Sequence, residues 1–197
     1  MTYNRQTNVS YELPGIDWKI PIPEEYEKFV IQLYGGAGSA SLIDGQVFNG
    51  GTGGNVVVSL KLQKNDELIV RIGYGGNSLT IENYKSKTVK GNAGKASYII
   101  LNGIMIATAY GANGIKGGDG FVEKNDRILF SQIIKGSDGE LNIQDTHDWL
   151  FPYIYFNGEI KCGGKCQTHG NGNGNGIVYL GAGGSGLANS TICTIEK

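Results

Sequence analysis

At 197 residues, with 17 basic against 18 acidic side chains and a net charge of −1, the chain fits one domain. It carries no electrostatic footprint of a nucleic-acid or anionic-lipid binder. Its apolar fraction of 40% is that of a globular protein and excludes disorder. The outlier is glycine, 33 residues where ordinary usage of roughly 7% gives about 14.

In chain order, the N-terminal stretch MTYNRQTNVSYELPG lacks the apolar core of a signal peptide. No later stretch is long and apolar enough to span a bilayer, so synthesis in the cytoplasm without membrane insertion is expected. Short β-rich runs bounded by glycine and asparagine follow, with almost no helical periodicity. Trp18 to Ile22 alternates apolar and polar, and Lys28 to Tyr34 reads as a core strand. Asn55 to Leu62 and Glu67 to Gly73 read as two strands whose polar link, Gln63 to Asp66, fits a hairpin turn. Ala96 to Leu101 and Ile104 to Ala109 flank Asn102-Gly103, the strongest hairpin signal in the chain, because a type I′ turn needs positive φ at both central residues. Arg127 to Ile134, Trp149 to Phe156, Ile177 to Leu180 and Thr191 to Ile195 complete about ten predicted strands, which suits two packed antiparallel sheets.

Glycine clusters separate these runs without a fixed period or a Gly-X-Y repeat, so neither a solenoid nor a collagen helix is expected. Glycine has no side chain to bury, so this many must serve loop geometry or close backbone approach. The alternating Gly/Asn stretch from His169 to Gly176 is the candidate for extended, polyglycine-II-like packing.

The order of Ile20-Pro21-Ile22-Pro23, Phe29 to Gly38, Gly50 to Val57, Asp66 to Gly76, Gly91 to Ile99 and Ile104 to Gly120 resembles the glycine-rich domain family. That family occurs in phage tail and tail-fibre proteins, other virion proteins and receptor-kinase ectodomains. The resemblance is good over residues 20 to 121 and rests on glycines alone at Gly181 to Gly186. It implies a jelly-roll-type antiparallel β-sandwich with packed glycine loops, serving attachment or assembly. Residues 1–197 are read as one such domain. Within it, Asn125 to Cys166 is an insertion or an elaboration that the family pattern does not explain.

Chemical motifs are thin. Gly36-Ala-Gly38-Ser-Ala-Ser41 lacks the third glycine of a dinucleotide fingerprint, and no amphipathic helix follows it. Gly181-Ala-Gly183-Gly-Ser-Gly186 matches that fingerprint but leaves too little chain for a βαβ unit. Gly91-Asn-Ala-Gly94-Lys95-Ala96 misses a phosphate loop in both spacing and hydroxyl. Cys162, Cys166, His169 and Cys193 have the chemistry of a zinc site, against a local disulfide or plain thiols, and plain thiols are the expectation. An odd count of three cysteines argues against a full disulfide framework. His147 stands between carboxylates, but nothing in the sequence supplies a nucleophile, and Asp119 has no ladder of acidic ligands for calcium. Trp149, Tyr153 and Tyr155 form the aromatic cluster that could dock on a partner.

The expectation is a non-enzymatic virion structural protein, with no cofactor and no metal. It would contact other virion proteins or its own copies through glycine loops and sheet edges. The alternative is a receptor- or carbohydrate-binding adhesin domain whose partner is a host glycan.

Overall fold

A computed structural model describes residues 3–44, 46–77, 79–80, 88–141, 179–180 and 183–196. Among the described residues every regular element is a strand, and ten of them form two antiparallel five-stranded sheets. The first sheet orders β1 (Tyr3–Tyr11), β14 (Leu187–Glu196), β3 (Lys28–Tyr34), β6 (Asn55–Leu60) and β12 (Ile128–Ile134). The second orders β11 (Gly120–Val122), β10 (Ile104–Ala109), β9 (Ser97–Leu101), β7 (Leu68–Arg71) and β2 (Asp17–Lys19). Two small pairs stand apart: β4 (Ser41–Ile43) with β5 (Gln46–Phe48), and β8 (Leu79–Thr80) with β13 (Tyr179–Leu180).

The period-2 pattern of β3 turns Phe29, Ile31 and Leu33 inward beside Val56, Val58 and Leu60 of β6. These meet Leu68, Val70, Ile99, Leu101 and Ile106 of the second sheet in one apolar cluster. The chain is therefore an all-β sandwich, as its sequence pattern predicts. The strand order does not confirm jelly-roll connectivity, since β7, β9, β10 and β11 follow one another as a meander.

The link from Gln63 to Asp66 is a turn but not a hairpin. β6 and β7 lie in different sheets, so this corner carries the chain from one layer to the other. Asp66 organises it. Its carboxylate accepts the Gln63 N–H at 2.6 Å, the Asn102 amide at 2.9 Å and Arg127 at 3.1 Å, with only 6% of the side chain exposed. Burial alone would raise this carboxyl. Asn102, the Gln63 N–H and Arg127 together outweigh it and hold the pKa below the ordinary value. Asn102-Gly103 makes the predicted type I′ hairpin between β9 and β10, with φ of 51° and 77°.

At one end of the sandwich the glycine segments 35–40, 50–54, 73–77, 91–96, 110–119, 135–140 and 183–186 pack backbone against backbone. Gly35 N–H donates to Gly54 O, Gly36 to Lys95 O, Ala37 to Gly184 O and Gly38 to Gly51 O. Gly76 and Ala112 in turn donate to Ala37 O and Gly36 O, so segment 35–40 touches five others. Of these glycines only Gly114 has positive φ, so conformational freedom does not explain the rest. Space does: a Cβ on Gly38 would fall on the Gly114 carbonyl, one on Gly54 on the Asp119 carbonyl, and one on Gly94 on the Gly36 carbonyl. Each approach lies well under 3.0 Å, against backbone that cannot yield cheaply. Buried hydroxyls complete the lattice: Ser39 accepts from Asn92 N–H, Thr52 from Ser137 N–H, and Ser97 from Gly73 N–H while donating to Tyr34 O.

Candidate interaction surface

The glycine motifs that resemble phosphate loops are structural. Gly36, Gly38, Gly94, Gly183 and Gly186 N–H groups all donate to neighbouring backbone carbonyls, and Gly91 N–H donates to Ser41 Oγ. These six amides are therefore spent inside the fold and do not form a cradle for an anion. Cys193 sits on β14, paired with Gln6 of β1 and Lys28 of β3, as a free and partly exposed thiol. Its three expected zinc partners, Cys162, Cys166 and His169, lie outside the described residues, as do His147, Trp149, Tyr153 and Tyr155. Among the described residues no three His, Cys, Asp or Glu side chains converge as metal ligands, and no helix is long and apolar enough to cross a membrane.

What the structure does bring together is a surface poor in charge. On the outer face of the first sheet, register aligns three rows across the strands. They are Asn8–Thr191–Val30–Ser59–Phe130, Ser10–Asn189–Gln32–Val57–Gln132, and Leu187–Tyr34–Asn55–Ile134. None of these three rows contains a charged side chain, and amides and hydroxyls predominate; the next row on this face, Gln6–Cys193–Lys28, ends in a lysine. Thr191 donates to Asn8 at 2.9 Å and Gln32 donates to the Tyr34 hydroxyl. Burial within this face raises the Tyr34 phenol pKa, opposed by its hydrogen bond with Asn55. The second sheet differs, because its β2 edge carries Asp17 and Lys19, paired at 2.6 Å with Arg71 and Glu67. The carboxyl of Asp17 is lowered by its hydrogen bond to Arg71, and the Lys19 ammonium is raised by Glu67.

The rows end on β12, which has no further strand beside it among the described residues. Leu129, Phe130, Ile133 and Ile134 are 65%, 56%, 44% and 44% exposed, on a strand whose seven residues, ILFSQII, include no charge. Edge strands of soluble proteins are ordinarily short, charged or covered, because their unpaired backbone groups template other chains. The other three edges follow that rule: β11 and β2 have three residues each, and β1 carries Arg5 among polar side chains. Sequence reasoning placed the β12 strand but not its exposure. The signal present was an apolar run without charge, which reads equally as core.

A second feature lies on the glycine segments. A groove of about 520 Å³ is lined by Tyr74, Gly75, Asn77, Asn92, Ala93 and Lys95. The Tyr74 ring, 56% exposed, lies against bare Gly15, where a Cβ would collide with it. Asn92, also in the lining, donates to the Asn77 carbonyl at 2.9 Å.

No protein-family model matches the chain, and no curated protein matches it at a significant level.

Proposed function

We propose that this chain is a non-enzymatic structural component of a larger protein assembly, a minor capsid, fibre or tail protein of a virion, acting through protein–protein contacts. The observation that carries the reading is the charge-poor surface formed by three rows on the outer face of the first sheet and by the apolar β12 strand, which is unpaired on one side among the described residues. Depletion of charge with apolar side chains at an unpaired edge is the composition of an interface core, and it is costly to leave in water. The virion setting rests on the glycine-rich family resemblance of residues 20 to 121. Size-exclusion chromatography with light scattering, run beside mass spectrometry of native particles, tests the reading. A stable oligomer or co-purification with a particle supports it, and a monomer absent from every particle overturns it.

The Tyr74 groove favours a second reading, a receptor- or carbohydrate-binding adhesin domain. An anchored aromatic ring beside amide groups offers stacking and neutral hydrogen bonding, which suits a polyhydroxylated ligand. A glycan array gives hits that Tyr74→Ala abolishes if this reading holds. A blank array removes it.

A further inference from the structure

Seven Asn-Gly steps occur in the chain, at Asn49, Asn102, Asn113, Asn157, Asn171, Asn173 and Asn175, and the last four lie outside the described residues. A glycine after asparagine leaves its own backbone nitrogen unshielded, so that this nitrogen can attack the carbon of the side-chain amide. Gly50 and Gly114 are buried within the glycine segments, whereas Asn102 and Gly103 are both exposed. Nothing stands near the position of a Cβ on Gly103, and its N–H donates to no group among the described residues. We infer that Asn102 is a deamidation site, and that its conversion to a carboxylate unlocks the seam between the two sheets.

The covalent step needs only water. The Gly103 nitrogen loses its proton and bonds to Cγ of Asn102, the Cγ–Nδ2 bond breaks, and the amide group leaves as ammonia. Water then opens the cyclic succinimide at either carbonyl and leaves aspartate or isoaspartate in place of asparagine. The Glu67 N–H, 2.8 Å from Oδ1 of Asn102, is placed to stabilise the charge that develops on that oxygen.

The consequence follows from what Asn102 holds. It sits at the tip of the β9–β10 hairpin and fastens that tip to the corner where the chain crosses between sheets. Its N–H donates to Glu67 O at 2.9 Å, its Oδ1 accepts the Glu67 N–H, and its Nδ2 donates to Asp66 at 2.9 Å. The last bond requires an amide, because the Asp66 carboxylate is an acceptor and is shared with the Gln63 N–H and Arg127. Both products lose this donor. Aspartate sets a second carboxylate against Asp66, whose side chain is only 6% exposed, and like charges at that distance repel strongly. Arg127 is then one cation between two carboxylates, and the neighbouring Glu67 is already paired with Lys19. Isoaspartate in addition lengthens the main chain of a two-residue turn.

Peptide mapping by mass spectrometry of the full chain, incubated at mildly alkaline pH, tests the site. Conversion at Asn102 is expected well ahead of Asn49 and Asn113, and Gly103→Ala, which shields the attacking nitrogen, is expected to suppress it. An Asn102 that stays an amide while Asn49 or Asn113 converts overturns the assignment, as does conversion that Gly103→Ala leaves unchanged. The unlocking is read on Asn102→Asp, whose folding equilibrium constant is expected to fall about tenfold or more. Adding Asp66→Asn removes the facing charge and should raise the denaturation midpoint above that of Asn102→Asp alone. An Asn102→Asp chain as stable as the parent, or a double variant no more stable than Asn102→Asp, contradicts the unlocking. Where Asn102→Asp does not fold by itself, recovery of the parent circular dichroism in the double variant supports it, and failure to recover counts against it.

Discussion

Ile31 and Gly38 belong to one continuous stretch of chain, and both are shut away from solvent for opposite reasons. Ile31 is enclosed because its side chain fills the space between two sheets and gains free energy from leaving water. Gly38 is enclosed because it brings no side chain, so that its N–H can donate to Gly51 O while the Gly114 carbonyl, which accepts from Gly51, lies against its Cα. In the sandwich the strands supply geometry and the side chains supply the driving force. In the glycine segments little apolar area is available, and cohesion comes from satisfied amides, each worth about 0.5–1.5 kcal/mol net. The first region tolerates volume-conserving swaps of side chain. The second tolerates almost none, because its tolerance is set by carbonyl oxygens rather than rotamers.

The largest effect expected from this contrast is at Gly38. Gly38→Ala adds one carbon against the Gly114 carbonyl and should cost more than about 4 kcal/mol, read as loss of the cooperative denaturation transition. A cost under about 1 kcal/mol would show that the segments part easily. Next comes Phe29→Ala in the sandwich, with a cost of about 3–5 kcal/mol by chemical denaturation. Asp66→Asn should cost roughly 1–3 kcal/mol near neutral pH, from the charge-assisted bonds to Asn102, Gln63 and Arg127. The folded pKa of Asp66 lies below its unfolded value of 3.8, so its contribution is full above that value. It is lost as pH falls through the folded pKa, and melts between neutral and strongly acidic pH should show a shallower acid loss for Asp66→Asn. The smallest effect belongs to Gly103→Ala, expected at about 1–2 kcal/mol from positive φ alone, since open space surrounds that position. Gly38 and Gly103 thus separate a glycine required for space from one required for conformation.

Local chemistry was legible and non-local placement was not. Lys28 to Tyr34 is legible with its observed bounds because alternation and β-branching coincide there. Asn102-Gly103 is legible because a type I′ turn demands those residues. β1 is not legible, since YNRQTNVSY is a polar edge with almost no apolar face to give it away. The corner at Gln63 to Asp66 resembled a hairpin because its turn chemistry is local, whereas the switch between sheets depends on partners far along the chain. The glycine clusters signalled close packing, yet which segments would touch is written in no single window. β12 shows the limit most clearly: ILFSQII has the composition of a core strand, and only the sheet order reveals an edge.

Hydrogen–deuterium exchange of residues 128–134, followed as a function of protein concentration, tests assembly through the β12 edge most directly. Protection of the β12 amides that rises with concentration, while the β1 edge stays unchanged, is the expected result. Exchange across β12 that stays fast and independent of concentration would contradict assembly through this edge.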